Sequence, residues 1–191
     1  MKYDIIFAGV GGQGIVSAAA MLVTQADKLG FTCKQNEVHG MAQRGGAVVC
    51  FVRISDKPIY SDIIPKGAAD FILATEPMEA LRYVEYLGPK GAIITSNKPC
   101  RNIEYPEVAK VLDAVKKTGN AVVVDAEKLV AELKNERVVN IAMMGALEKK
   151  LGLEGLRDGI LKDVEKRFAK KGEAVVELNK KAFAFGEAAA S

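Results

Sequence analysis

The sequence predicts an α/β fold: a Rossmann-like, mostly parallel sheet with helices on both faces and a helical C-terminal third. Three observations carry that prediction. Short aliphatic runs alternate with amphipathic segments over the first two-thirds of the chain, glycines mark many of the joins, and the last third holds no strand-like run of any strength. Parallel strands need long crossover connections, usually helices, so this alternation implies a parallel sheet covered on both sides.

The elements follow in order. "YDIIFAGV" is an aliphatic run ending in glycine, and "GGQGIVSAAAMLVTQADKLG" supplies small and aliphatic residues for a helix closed by Gly30. "FTCKQNE" and "AVVCFVRI" are strand candidates on either side of a glycine-rich loop, after which "SDKP" turns the chain into "IYSDIIP". "ADFILAT" reads as a strand and "PMEALRYVEYL" as a helix, with Pro77 near its first turn and Gly88-Pro89 at its end. "GAIITS" then reads as another strand. In "YPEVAKVLDAVKKTG", Val108, Val111, Leu112 and Val115 follow the i, i+3, i+4, i+7 rule and Gly119 closes the helix. "NAVVVDA" is a further strand. "VVNIAMMGALEKKLG", "LRDGILKDVEKRF" and "EAVVELNKKAFAFGEAAA" read as helices.

No Pro/Gly/Ser-rich linker precedes that helical part, so residues 1–191 are expected to form one domain: an α/β core over 1–135 with 136–191 packed on it. Half of the 191 residues are hydrophobic, enough for a substantial core. The apolar runs fall short of the ~20 residues that a bilayer crossing needs, and "MKYDIIFAG" lacks the regions of a signal peptide. A cytoplasmic location is expected. The net charge is +3, and basic and acidic residues are interleaved, as in "EKKLGLEGLRDGILKDVEKRFAKKGE". That describes a solvated helical surface, not the one-signed patch of a nucleic-acid binder. Cys33, Cys50 and Cys100 are widely spaced without a CxxC pair, which favours reduced structural thiols over a disulfide framework, a zinc site or an iron–sulfur cluster.

Two loops carry candidate chemistry. "GVGGQG" satisfies G-x-G-x-x-G with Gly9, Gly11 and Gly14, and Gly12 and Gln13 complete it between a strand and a helix. There, glycines permit a tight turn and let a phosphate approach the backbone, and the helix N-terminus offers unpaired N–H groups. The residues leave open whether the loop binds a phosphate or is a structural turn, with Gly11 and Gly14 needing positive φ or room for a neighbour. A dinucleotide site also wants an acid after the second strand, a place that Glu37 could fill. The second loop, "EVHGMAQRGGAVV", holds the chain's only histidine. Following the second strand of a parallel sheet, it should sit at the carboxyl edge beside "GVGGQG". His39, Gln43, Arg44, Gly45 and Gly46 there suggest an anion site or a partner surface, with Arg44 able to clamp a carboxylate or phosphate at two points or to pair locally with Glu37. No nucleophile with a base, carboxylate pair or metal cage stands at recognisable spacing.

"GVGGQG", "HGMAQRGGAVVCFVRIS", "IYSDIIPKGAADFILATEPMEALR" and "NKKAFAFG" together resemble the small subunit of the 2-oxoacid:ferredoxin oxidoreductases over nearly the whole chain. Within that family "HGMAQRGG" is similar to the indolepyruvate type, whereas gamma subunits acting on pyruvate tend to have a Glu-Arg-Arg-Gly type loop. The resemblance implies oxidative decarboxylation of a 2-oxoacid to an acyl-coenzyme A, with ferredoxin as electron acceptor and coenzyme A as co-substrate. It also implies thiamine diphosphate, magnesium and iron–sulfur clusters on a larger alpha subunit, because this chain lacks clustered cysteines and a Gly-Asp-Gly motif with a distant Asn. The competing readings are a stand-alone nucleotide- or dinucleotide-binding protein and the equivalent subunit of a pyruvate- or 2-oxoglutarate-specific enzyme.

Overall fold

The computed structural model describes residues 1–39, 45–101 and 104–191. Gln43 and Arg44 therefore lie outside the described residues, as does the side chain of His39. The order is β1 (Lys2–Val10), α1 (Ile15–Lys28), β2 (Thr32–His39), β3 (Ala47–Ser55), β4 (Ala69–Ala74), α2 (Pro77–Arg82) and β5 (Leu87–Ser96). It continues with α3 (Val108–Lys116), β6 (Ala121–Val124), α4 (Ala126–Leu133), α5 (Val139–Leu151), α6 (Leu156–Phe168) and α7 (Glu173–Ala189).

The strands form one sheet in the order β2-β3-β1-β4-β5-β6. β1, β4, β5 and β6 pair in parallel, whereas β3 runs antiparallel to both β1 and β2. The predicted mostly parallel sheet is therefore present, with a β2–β3 hairpin added at one edge. A hairpin needs no crossover helix, which is why these two strands follow each other directly.

Successive strand side chains point to opposite faces. Ile5 and Phe7 of β1 accordingly join a large apolar cluster with Leu22 of α1, Met143 and Met144 of α5, Ile160 of α6 and Phe183 of α7. Ile6 and Ala8 join a smaller one with Ile72, Ile93, Ala80 of α2 and Val115 of α3. Burial on both faces explains why the strands read as continuous aliphatic runs instead of alternating ones.

On the larger face α5 and α7 nearly touch. A Cβ on Gly186 would lie 1.7 Å from the Ala142 carbonyl oxygen, and one on Gly145 would lie 2.1 Å from that of Phe183. On the other face Arg53 of β3 reaches the fully buried Asp4 with its Nε at 2.8 Å. It also donates to the carbonyls of Ser61 and Ile63, each at 3.0 Å, fastening the "IYSDIIP" connection to the sheet.

Two local expectations are corrected. The helix read over "PMEALRYVEYL" stops at Arg82, a 3-10 turn follows over Val84–Tyr86, and Leu87 already begins β5, so Gly88-Pro89 is strand and not helix end. The β4–β5 register jumps from Ala69↔Leu87 to Phe71↔Ala92. Proline, which cannot donate to a ladder, is tolerated in such an irregular stretch. The second correction is α4, which the apolar pattern did not reveal: only Ala126 and Leu129 of its eight residues are buried.

Candidate functional site

The carboxyl ends of the parallel strands converge on a cleft of about 530 Å³. Gly12, Gln13 and Gly14 line one side, Thr75, Lys98, Pro99, Cys100 and Arg101 another, and Glu136, Arg137, Val139 and Asn140 a third. Open α/β sheets bind ligands at this edge, because crossovers leave it free and helix N-termini point toward it.

The glycine loop is built by the backbone. Gln13 N–H donates to the Val10 carbonyl at 3.1 Å, and the Gln13 side-chain oxygen accepts from Val10 N–H at 2.8 Å and from the Thr75 hydroxyl at 2.7 Å. Positive φ falls on Gly12 (99°) and Gly14 (79°). Gly14 thus meets the expectation by its positive φ, and Gly12 is a second left-handed position in the turn. Gly11 instead bonds to the neighbouring hairpin: its N–H donates to Gly46 O at 2.8 Å, and its carbonyl accepts from Gly45 N–H at 3.4 Å. The two glycine-rich loops therefore meet, as their places at the carboxyl edge require. Gly9 sits tightly under the turn, since a Cβ there would meet the Thr75 hydroxyl oxygen at 2.5 Å.

Gly14 caps α1 in a left-handed conformation. Among the described residues no side chain caps the helix, and no acid stands in its first turn. The first N–H groups of a helix lack partners within it, so this end offers donors and partial positive charge to an anion. Arg101 and Arg137 line the same cleft, and neither guanidinium has an ion-pair partner among the described residues. Lys98 pairs with Glu136 at 2.8 Å, and this partner holds the Glu136 carboxyl below its ordinary range. Asn140 closes the site from α5: its amide nitrogen comes so near Gly14 that a Cβ there would lie 2.5 Å away. Its buried Oδ1 has no hydrogen-bond partner among the described residues. A buried acceptor left unpaired costs about 1–3 kcal/mol.

A smaller pocket lies on the hairpin side, lined by Val10, Gly45, Ala47, Glu76, Met78, Glu79, Arg82, Cys100 and Tyr105. Buried Glu76 caps α2 by accepting Glu79 N–H at 2.9 Å, and it also accepts the Tyr105 hydroxyl. Burial, with Glu76 adding to it, raises the Tyr105 hydroxyl far above its ordinary value and raises the Cys100 thiol. Burial pushes Cys33 up to about 11 and Cys50 up to about 12. All three described cysteines thus remain protonated near neutrality, a poor state for metal ligation or nucleophilic attack.

Glu37 does not line the cleft. The antiparallel β3 lies between β2 and β1, so Glu37 stands one strand farther from the glycine loop than the acid of a dinucleotide site would. Conversely, Thr75, Lys98, Arg101, Arg137 and Asn140 lie far apart in the sequence, and only the fold brings them together. Their only signal was position: Thr75 directly follows β4 and Lys98 comes two residues after β5, where ligand-contacting residues collect.

The model of the family described as "Pyruvate ferredoxin/flavodoxin oxidoreductase" matches residues 4–189. An indolepyruvate oxidoreductase subunit IorB of Pyrococcus horikoshii is 36% identical over 99% of this chain and 96% of its own length. The common gamma subunit of the pyruvate/ketoisovalerate oxidoreductases of Thermococcus kodakarensis is 31% identical over 78% of each chain. Among solved structures, the 2-oxoglutarate:ferredoxin oxidoreductase of Magnetococcus marinus, with 2-oxoglutarate, coenzyme A and succinyl-CoA bound, shares the fold at a TM-score of 0.78 and 23% identity. The likeness covers 99% of this chain and 31% of that longer one. The chain belongs to the pyruvate ferredoxin/flavodoxin oxidoreductase family.

Proposed function

We propose that this chain is the small subunit of a 2-oxoacid:ferredoxin oxidoreductase of the indolepyruvate type, inactive alone, and that its carboxyl-edge cleft holds a phosphate of coenzyme A. The observation that carries the reading is the chemistry of the cleft: an uncapped helix N-terminus behind a left-handed glycine turn, faced by Arg101 and Arg137. The N–H groups of the first turn of α1 and the two guanidiniums suit phosphate oxygens. The longer relative's bound coenzyme A supports this choice of anion, and the indolepyruvate name of the 36% identical relative supports the substrate class.

Among the described residues no group of three His, Cys, Asp or Glu side chains could hold a metal ion. We infer that thiamine diphosphate, magnesium and the iron–sulfur clusters are not held by this chain. Those groups, and electron delivery to ferredoxin, belong on this reading to a larger partner subunit. The hairpin loop carrying His39, Gln43, Arg44, Gly45 and Gly46 then faces that partner's active site, with Arg44 as the two-point clamp. A dinucleotide-dependent dehydrogenase is disfavoured by the distance of Glu37 from the glycine loop.

Reconstitution tests the proposal. The purified chain should oxidise no 2-oxoacid, and activity should appear on adding the thiamine- and cluster-bearing subunit, with kcat/KM for indolepyruvate above those for pyruvate and 2-oxoglutarate. Turnover by the isolated chain would sink the subunit reading, and a preference for pyruvate or 2-oxoglutarate would reassign the substrate.

A further inference from the structure

An ion pair joins two sides of the cleft. Lys98, on the connection that follows β5, meets Glu136, in the 3-10 turn that leads into α5, with Nζ 2.8 Å from Oε1. Both backbones are anchored. Lys98 N–H donates to Ser96 Oγ at 3.2 Å, and Asn97 N–H before it donates to the Val124 carbonyl at 3.1 Å. Beside Glu136, Arg137 N–H donates to the Asn135 side-chain oxygen at 2.9 Å, and Val138 is buried. The side chains are freer, that of Lys98 being 33% exposed and that of Glu136 72%. Exposed ion pairs are among the weakest contacts in a protein, because water screens them and ordering two long side chains costs entropy. The pair is therefore a bridge between rigid supports that side-chain rotation can open.

The surroundings offer Lys98 a different partner. Lys98, Arg101 and Arg137 line the cleft as cations against one carboxylate, Glu136, among the described residues, and Gly12 and Gly14 bring the N-terminal end of α1 to the same space. An anion entering there meets Lys98 and Glu136 together, attracted by the first and repelled by the second. A doubly charged phosphate group offers an ammonium more charge and more acceptor oxygens than a carboxylate does. We propose that the Lys98–Glu136 pair is an exchangeable strap, in which an entering phosphate group takes the place of the Glu136 carboxylate on Lys98 Nζ. Glu136 competes with the ligand for Lys98, and Lys98 is a binding residue held ready beside the cleft. The inference rests on the cleft being the coenzyme A phosphate site, and its test separates the two ideas.

Inorganic pyrophosphate, titrated into the full chain by calorimetry, probes the exchange apart from catalysis. Glu136→Gln removes the competing charge, so pyrophosphate should bind about fivefold more tightly, whereas Lys98→Met should bind it about tenfold more weakly. A strap with a structural role alone predicts otherwise, since loss of either partner would loosen the same two walls and shift both Kd values in one direction. Glu136→Asp keeps the charge in the cleft and draws it back from Nζ by one methylene. It should also tighten pyrophosphate binding, whereas long-range repulsion alone predicts the wild-type Kd. Glu107→Gln, which breaks the exposed Lys110–Glu107 pair at the start of α3, is the control and should leave the Kd unchanged. In the reconstituted enzyme the KM for coenzyme A should fall with Glu136→Gln and rise with Lys98→Met. An absence of pyrophosphate binding, Kd shifts of one sign in Glu136→Gln and Lys98→Met, or a wild-type Kd in Glu136→Asp would overturn the strap. The expected Kd shifts with an unmoved KM for coenzyme A would keep the strap and overturn the coenzyme reading beneath it.

Discussion

Glycine works in opposite ways at the two ends of this molecule. Between α5 and α7, Gly145 and Gly186 have ordinary helical backbones and no space: any side chain would strike a carbonyl of the facing helix. At the carboxyl edge, Gly12 has nothing within 4 Å of where a Cβ would stand, and its φ is 99°. Packing demands the first kind and backbone conformation the second. The first region has spent its freedom on a dry contact between helices. The second keeps, among the described residues, a helix end without a side-chain cap and two guanidiniums without ion-pair partners around open space. Substitution should therefore damage stability in one region and binding in the other.

The largest expected effect lies in the helix contact. Gly186→Ala places a methyl 1.7 Å from Ala142 O, so the helices must separate, and a destabilisation of about 3 kcal/mol or more follows, or roughly 6–12 °C in Tm. Thermal melting of the isolated chain checks it. Melting like that of the wild type would show that α5 and α7 do not approach this closely.

Arg44→Lys comes next. It keeps the charge and loses the two-point fork, so a functional clamp should lose about 1–3 kcal/mol in kcat/KM for the 2-oxoacid or for coenzyme A, with little change in melting. Equal kinetics for both substrates and equal affinity for the partner would leave the hairpin loop with no role beyond its own folding.

The smallest effect concerns Glu148, buried in α5. Desolvation first, and then the nearby Glu187 carboxylate, raise its pKa above the ordinary glutamate range. A raised folded-state pKa means that the folded chain holds the proton more tightly. The stability from this group is therefore complete below the unfolded pKa and is lost as pH rises through the folded one. Glu148→Gln should raise Tm slightly at neutral pH, and the gain should shrink as pH falls toward the ordinary carboxylate range. Melting of both proteins across that window measures it, and a gain independent of pH would point to packing instead.

The same contrast governs what could be read from the sequence. The parallel strands, α1 and the long C-terminal helices were legible because burial on both faces writes itself as aliphatic runs and helical spacing. α4 was not, since its buried stripe is Ala126 and Leu129 alone. Gly88-Pro89 misled because both residues usually break structure, while here the irregular β4–β5 register absorbs them. At the site, the glycine loop and its meeting with Gly45 and Gly46 were legible, because consecutive residues and one topological rule suffice. The opposite wall was not. Thr75, Arg101 and Asn140 come from three separate parts of the chain, and only the closed fold makes them neighbours.

The measurement that tests the central claim most directly is coenzyme A titration of the reconstituted enzyme carrying Gly12→Ala, alongside its melting. The methyl enters open space, so its cost to folding is backbone strain on the order of 1–3 kcal/mol, while it crowds the turn that a phosphate must approach. The account predicts a KM for coenzyme A raised about tenfold or more, with kcat nearly unchanged and only a modest loss in Tm. A large loss in Tm with the wild-type KM would contradict it and make "GVGGQG" a structural turn.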